Sequence, residues 1–420
     1  MSSKPDFIPA AEVLDLLGIR PQTLYAYVSR GWLRSIKQPG RREHLYARDD
    51  VERLRARSRA RLGHGAVAAG AMHWGDPIIA TSITEITSLG PRYRTYLAVD
   101  LARGGHSFET AAELLWSGLH PEEPVQWPVD PLPPAVTGLT RSIAVGSNEH
   151  LLEVFSVFVL ALGMTRGTFA ERLRGGSPLA AAREILQTLA GCLGYASERR
   201  CFVALRDGEG FAAGVARAFG IEPSEENCAA LDAILILLAD HELAPTTFAA
   251  RVAASSGAAL HSCIASALCT TAGTQTGRIY DRVEDMLRGA TTRAELLDRA
   301  REMNERGSTP PGFSHPFYPK GDPRALHLFD LAGRRSCQSR QLEGILGFIE
   351  GAGAELDLHP RQELAVATLA IVMGLPEHCG SALYALARTA GWVAHVVEQR
   401  LAGTLLRPRA RFVGAAVPVS

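Results

Sequence analysis

The chain has 420 residues with 44 Lys+Arg against 44 Asp+Glu, so the formal net charge is zero and no global field draws it to nucleic acid or acidic lipid. Hydrophobic residues are 46% and charged residues 21%, enough apolar material for a large core, which excludes wholesale disorder, collagen and coiled coil. The length exceeds the ~250–300 residues at which single cores stop growing, so one large domain plus a small one is expected. The seven cysteines are an odd number without a CxxC pair, unlike a disulfide framework or a zinc site, and no metal is expected. Residues Met1 to Asp6 lack the apolar core of a secretory signal, and the longest apolar run, Val154 to Met164, is broken by Ser156 and too short to span a bilayer. A cytoplasmic protein without membrane attachment is the expectation.

The charge is unevenly placed. Residues 1–61 hold 13 Lys/Arg against 7 Asp/Glu, a local excess of six. Apolar residues at 13, 14, 16 and 17 predict a short helix over Ala10 to Leu17 stopped by Gly18. Pro21 opens a second helix ending before Gly31, since its missing N–H has no intrahelical partner at that position. Two short helices joined by a glycine turn form a helix-turn-helix pattern, whose second helix offers Gln22, Thr23, Tyr25, Tyr27 and Arg30 to a DNA groove. The basic stretch Ser35 to Tyr46, with Pro39-Gly40 at its centre, suits a wing whose Arg41 and Arg42 touch phosphate, and a third helix starts at Asp49-Asp50. This segment resembles the MerR/excisionase type of winged helix-turn-helix. A small helical module for protein contacts is the alternative. With so few phosphates neutralised, one copy would bind DNA weakly and specificity would need a dimer. Residues 62–73 are rich in Gly and Ala and suit a linker, after which the large domain spans 74–420.

In the large domain, Leu231 to Ala239 and Leu364 to Met373 are apolar on nearly every face and predict buried helices, while period-2 runs are scarce. The expected fold class is therefore mainly α. Three clusters carry the chemistry: Asp240-His241-Glu242 at the end of an apolar helix, Pro311-Gly312-Phe313-Ser314-His315 followed by Tyr318 and Asp322-Pro323-Arg324, and Arg388 to His395 followed by Leu406-Arg407-Pro408-Arg409. Each alone is an ordinary set of structural residues. In this order and spacing, and with Arg92-Tyr93-Arg94 followed by SFETAAELLWSGLHP, they resemble the citrate synthase family.

The resemblance implies a two-lobed helical dimer with an active-site cleft and no permanently bound cofactor, an acyl-CoA serving as co-substrate. Position by position, it makes His241, His315, Arg324, Arg388 and, across the dimer, Arg407 the binding set for oxaloacetate or a similar dicarboxylate. Such a set suits a dianion, because guanidiniums give fixed two-point donors and imidazoles donate to a keto oxygen.

Two catalytic positions depart from the family pattern. The first catalytic His stands in a Gly-x-x-His-Gly-Gly-Ala-like turn, and here Ala272-Gly273-Thr274-Gln275-Thr276-Gly277-Arg278 places Thr276 at its position. His261 is the nearest imidazole in sequence that could substitute. The general base stands in Pro-Asn-x-Asp, and Pro360-Arg361-Gln362-Glu363 puts Glu363 there, with Asp357 reachable only through a gap. Pro316 replaces the Arg usual after the motif histidine, leaving Lys320 and Arg324 as cations for CoA. His315 stands where the acid that protonates the keto oxygen belongs. Three functions follow from the sequence: a slow or altered citrate synthase-type acyltransferase using His315, Glu363 and Thr276; a DNA-binding regulator sensing a dicarboxylate or acyl-CoA; or a weak subunit that dimerises with an intact paralogue. A homodimer fits the first two.

Overall fold

Long apolar runs bounded by Gly, Pro and small polar caps dictate a helical chain, and the computed structural model is mostly helical. It describes residues 7–17, 19, 21–29, 33, 35–37, 44–48, 50–51, 79–165, 178–289, 292–335 and 339–408. The chain divides into two compact units, Met1–Ala80 with Arg407–Ser420, and Thr81–Leu406.

In the first unit, β1 (Phe7–Pro9) precedes α1 (Ala10–Leu17) and α2 (Pro21–Ser29), followed by β2 (Ser35–Lys37) and β3 (His44–Ala47). The strands form an antiparallel sheet in the order β1-β3-β2, with Ile8 opposite Tyr46 and Ile36 opposite Leu45. Ile8, Val13, Leu24, Leu33, Tyr46 and Val51 make a small core of its own. Thr23 and Tyr27 are half-buried. Arg30, Arg41 and Arg42, the side chains of Gln22 and Tyr25, the chain from 52 to 78 and most of the third helix lie outside the described residues.

The second unit begins with an antiparallel sheet of β4 (Thr84–Thr87), β5 (Gly90–Tyr93) and β6 (Tyr96–Leu97). Helices follow: α3 (Ala98–Arg103), α4 (Phe108–Ser117), α5 (Pro134–Ser142), α6 (Leu151–Thr165), α7 (Pro178–Cys192), α8 (Phe211–Phe219), α9 (Glu225–Leu238), α10 (Pro245–Ser255) and α11 (Leu260–Thr271). The series ends with α12 (Ile279–Arg288), α13 (Arg293–Glu305), α14 (Pro323–Arg334), α15 (Arg340–Leu356), α16 (Gln362–Met373) and α17 (Gly380–Ala402). The runs predicted to be buried helices fall in α9, which ends one residue earlier at Leu238 with Ala239 as its cap, and in α16. Both are buried on almost every face, as their lack of polar positions requires.

Two apolar cores form inside this unit. The larger is built on α4, α6, α7, α9, α11 and α17, and a smaller one gathers Val283, Leu287, Leu296, Phe313, Phe348 and Leu364. Fixed turns carry the chain between them. Gly312 has φ +84°, and a Cβ there would stand 3.0 Å from Leu364 Cβ, so the loop before His315 is pressed onto α16 in a way that only glycine permits. Among the described residues no helix is long and apolar enough to cross a membrane.

Candidate active site

The site begins where α9 stops. Tyr93, fully buried on β5, donates its hydroxyl to Ile236 O at 2.8 Å and accepts from Asp240 N at 3.2 Å, which clamps the last turn of α9. The chain then turns sharply, with Glu242 at φ 57° immediately after His241. A matching strained turn occurs opposite, where Ser314 at φ 60° immediately precedes His315. Left-handed backbone at a residue other than glycine costs ~1–2 kcal/mol, and here it occurs beside each imidazole.

The two rings stand edge to face, with centroids 5.5 Å apart. Tyr318 sits between them, its ring 4.9 Å from His315 and its hydroxyl 3.4 Å from His241 Nε2. Phe317 N donates to His315 Nδ1 at 3.1 Å, so in the neutral ring the proton lies on Nε2 and that nitrogen is a donor. Burial, then the Arg324 charge, pushes the His315 pKa down to about 4. Burial, with Arg324 and Arg388, holds His241 well below the usual imidazole range. Both rings are therefore neutral hydrogen-bonding groups at pH 7.

Asp322 explains how a guanidinium is held here without solvent. It caps α14, accepting from Arg324 N at 3.0 Å, and both its oxygens pair with the Arg324 side chain, at 3.0 Å to Nε and 2.7 Å to Nη2. Both side chains are completely buried. Burial opposes the Arg324 charge, but the Asp322 carboxylate more than offsets it and the pKa is raised. Arg324 Nη1 is buried with no protein partner. Arg388, on α17, donates from Nε to Leu238 O at 2.7 Å and lies 4.8 Å from the Tyr384 ring centroid. Among the described residues no carboxylate lies within ion-pair distance of it. His241, His315, Arg324 and Arg388 are thus drawn together from four elements.

The remaining expected residues are placed differently. Thr276 Oγ1 lies 2.8, 3.0 and 3.0 Å from the carbonyls of Thr270, Thr271 and Gly273, so its proton is committed to closing the end of α11. His261 is buried against Gly163 of α6, whose added Cβ would stand 2.9 Å from the His261 Cβ. Glu363, on the first turn of α16, is buried, and its oxygens accept from Arg361 Nη2 at 2.6 Å and Nε at 3.1 Å. Asp357 is the left-handed cap of α15 and pairs with His359. Arg407 is exposed and falls in the first unit.

Sequence reasoning passed over Arg361, whose charge acts on both imidazoles, and Tyr280, which accepts from Gln362 Nε2 at 3.3 Å and lies tilted against Tyr384 with ring centroids 5.3 Å apart. Arg361 had a signal: a basic residue at the Asn position of a motif that keeps its Pro and a carboxylate, as Pro360 and Glu363. Among the described residues no group of three His, Cys, Asp or Glu side chains can hold a metal ion.

Residues 72–409 match the family described as "Citrate synthase, C-terminal domain". The chain belongs to the citrate synthase family. It is 32% identical over 199 residues to the citrate synthase of Haloferax volcanii, covering 46% of this chain and 52% of that one. It is 33% identical over 201 residues to citrate synthase 2 of Bacillus subtilis, covering 46% and 53%. These matches span about half the length of the curated relatives. The fold is shared with the citrate synthase of Thermoplasma acidophilum, solved as a ternary complex with carboxymethyl coenzyme A and oxaloacetate, at TM-score 0.71 and 21% identity over 82% of this chain and 96% of that one.

Proposed function

We propose that the large domain, taken as 74–420, is a citrate synthase-type acyltransferase that binds oxaloacetate or a related 2-oxo dicarboxylate and condenses it slowly with an acyl-CoA. The observation that carries this reading is Arg324 Nη1, a buried cationic donor left unpaired beside two neutral imidazoles. Leaving such a donor unsatisfied costs ~1–3 kcal/mol or more, and a ligand carboxylate removes that cost. Family membership supports the reaction class, and the Thermoplasma acidophilum relative holds the corresponding pair of ligands.

In the proposed reaction Glu363 takes a proton from the acyl carbon next to the thioester, and the resulting enolate carbon bonds to the keto carbon. His315 Nε2–H donates to the keto oxygen, while Arg324 and Arg388 hold the carboxylates. Hydrolysis of the thioester with one water then releases the CoA thiol. The enolate oxygen is the weak point, because the Thr276 hydroxyl is engaged with backbone carbonyls. Loss of such a donor slows catalysis by ~10²–10³-fold. Arg407 from a second copy, or a copy of the chain lending it to an intact paralogue, would complete the anion site. Purified protein given oxaloacetate with acetyl- or propionyl-CoA is expected to release thiol slowly and to lose that release in His315→Ala. Thiol at the protein-free background in the wild type would overturn the reading.

A second reading concerns the N-terminal segment, 1–61. The order of two short helices and an antiparallel β-hairpin around a separate small core supports a winged helix-turn-helix that binds DNA as a dimer, with 62–73 as linker. It would make the protein a regulator responding to the dicarboxylate or acyl-CoA. Fluorescence anisotropy with the DNA flanking its own gene, with and without oxaloacetate, tests this; flat titrations in both would end it.

A further inference from the structure

Arg361 is held at the junction of the two site loops. Its N–H donates to Gly312 O at 2.8 Å, Pro360 bridges Phe313, and Ser314 N donates to His359 O at 2.9 Å, so the strip 359–361 is stitched to the strip that ends in His315. From this anchor the guanidinium reaches two residues along the chain and grips both oxygens of Glu363. The partners differ in exposure: the Glu363 side chain is 4% exposed and the Arg361 side chain 29%. The carboxylate is sealed in, and the guanidinium is the partner with room to move.

The charges around the site form pairs. Arg324 is matched by Asp322, Arg361 by Glu363, and Arg388 has no carboxylate partner among the described residues. A dianion entering this site meets the unmatched Arg388 guanidinium and a single free nitrogen of Arg324, Nη1, so its second carboxylate has only one donor. Both oxygens of Glu363, meanwhile, are engaged by Arg361, and one of them is freed to face a substrate C–H bond when the guanidinium finds another anion. Each need is met by the same movement.

We infer that Arg361 is a positioning residue that masks Glu363 in the free protein and turns to the outer carboxylate of a bound dicarboxylate, so that the base is released only when the second substrate is in place. This rests on the dicarboxylate reading of the same site. The step it controls breaks the C–H bond next to the thioester, forms an O–H bond on Glu363 and leaves the electron pair in the enolate. When the carboxyl exchanges with heavy water and the step reverses, deuterium enters the acyl group.

The test follows deuterium incorporation into acetyl-CoA in heavy water, with and without malate as a dicarboxylate that cannot be condensed, together with oxaloacetate calorimetry. Wild type is expected to incorporate deuterium only with malate. Arg361→Gln is expected to incorporate it without malate and to bind oxaloacetate about 10-fold or more weakly, the loss of one charge-assisted contact. Arg361→Lys, which keeps the charge but not the two-point grip, should fall between. If Arg361→Gln matches wild type in both readouts while wild type binds oxaloacetate, the masking role is overturned and the site reading stands. Weaker binding in the variant with malate-dependent exchange retained, or with no exchange in any protein, also overturns the masking. If wild type gives no oxaloacetate heat, the site reading fails and the latch falls with it.

Discussion

Asp240 and His395 meet at 3.2 Å with both side chains fully buried, joining the loop that presents His241 to the helix that carries Arg388. The line continues through His395 Nδ1 to Arg251 Nη1 at 3.0 Å, and from Arg251 to Gln399 Oε1 at 3.0 Å and Glu398 Oε2 at 2.6 Å. Because Arg251 donates to Nδ1, a neutral His395 carries its proton on Nε2, aimed at Asp240. Burial opposes the Asp240 charge, but His395 and Arg388 more than offset it and its pKa is lowered. The acid beside His241 in the sequence therefore ties this loop to α17.

Removing one end of this line leaves the other buried and unpaired. His395→Ala is expected to destabilise the protein by ~3–5 kcal/mol in urea unfolding. Gly391→Ala tests the same junction by crowding, since its Cβ would stand 2.3 Å from Asp240 Oδ1 and 2.5 Å from Ala239 O. Forcing that contact is expected to cost ~1–3 kcal/mol and to weaken oxaloacetate binding by shifting His241. Unchanged unfolding midpoints in both variants would show that the line does not hold the loop.

Thr276→Ala separates a structural hydroxyl from a catalytic one. With its proton engaged by the carbonyls at the end of α11, the variant is expected to lose ~1 kcal/mol of stability. Thiol release should stay within about threefold of wild type, against the ~100-fold loss expected if the hydroxyl were an oxyanion donor.

A pair of carboxylates away from the site gives a pH prediction. Asp232 accepts from Phe108 N at the start of α4, and Glu109 accepts from Phe211 N at the start of α8. Burial, reinforced by the charge of Glu109, raises the Asp232 pKa from 3.8 to about 7. The folded protein thus holds a proton that the unfolded chain releases near pH 4. The stabilisation is complete below that value and is lost as pH rises through about 7. Asp232→Asn, which cannot ionise, should gain on wild type by ~1–3 kcal/mol between pH 4 and 7.5 in parallel urea titrations. A constant difference across that range would contradict it.

Much of the fold was legible because its signals are local. Continuous apolar runs over Leu231 to Ala239 and Leu364 to Met373 leave no polar face for solvent, and they lie in buried α9 and α16. His241, His315, Arg324 and Arg388 stood out through motif order, which carries long-range geometry that periodicity does not. What escaped depends on direction rather than spacing. An Arg two residues before a Glu resembles a solvated surface, yet the first turn of α16 folds Arg361 back onto Glu363. Thr276 was expected at the histidine position of the family motif, and in the structure its short hydroxyl is taken up by backbone carbonyls. The Tyr93 clamp on Asp240 joins two segments that the sequence analysis noted separately, and nothing in their spacing pairs them.

The most direct measurement is calorimetric titration of oxaloacetate into wild type and Arg388→Ala. Replacing a buried guanidinium that meets a ligand carboxylate removes one or two charge-assisted hydrogen bonds of ~1.5–3 kcal/mol each, so the variant should bind at least about 10-fold and up to about 10⁴-fold more weakly. Equal affinity for the two proteins, or no saturable heat in the wild type, would contradict an anion site built from His241, His315, Arg324 and Arg388.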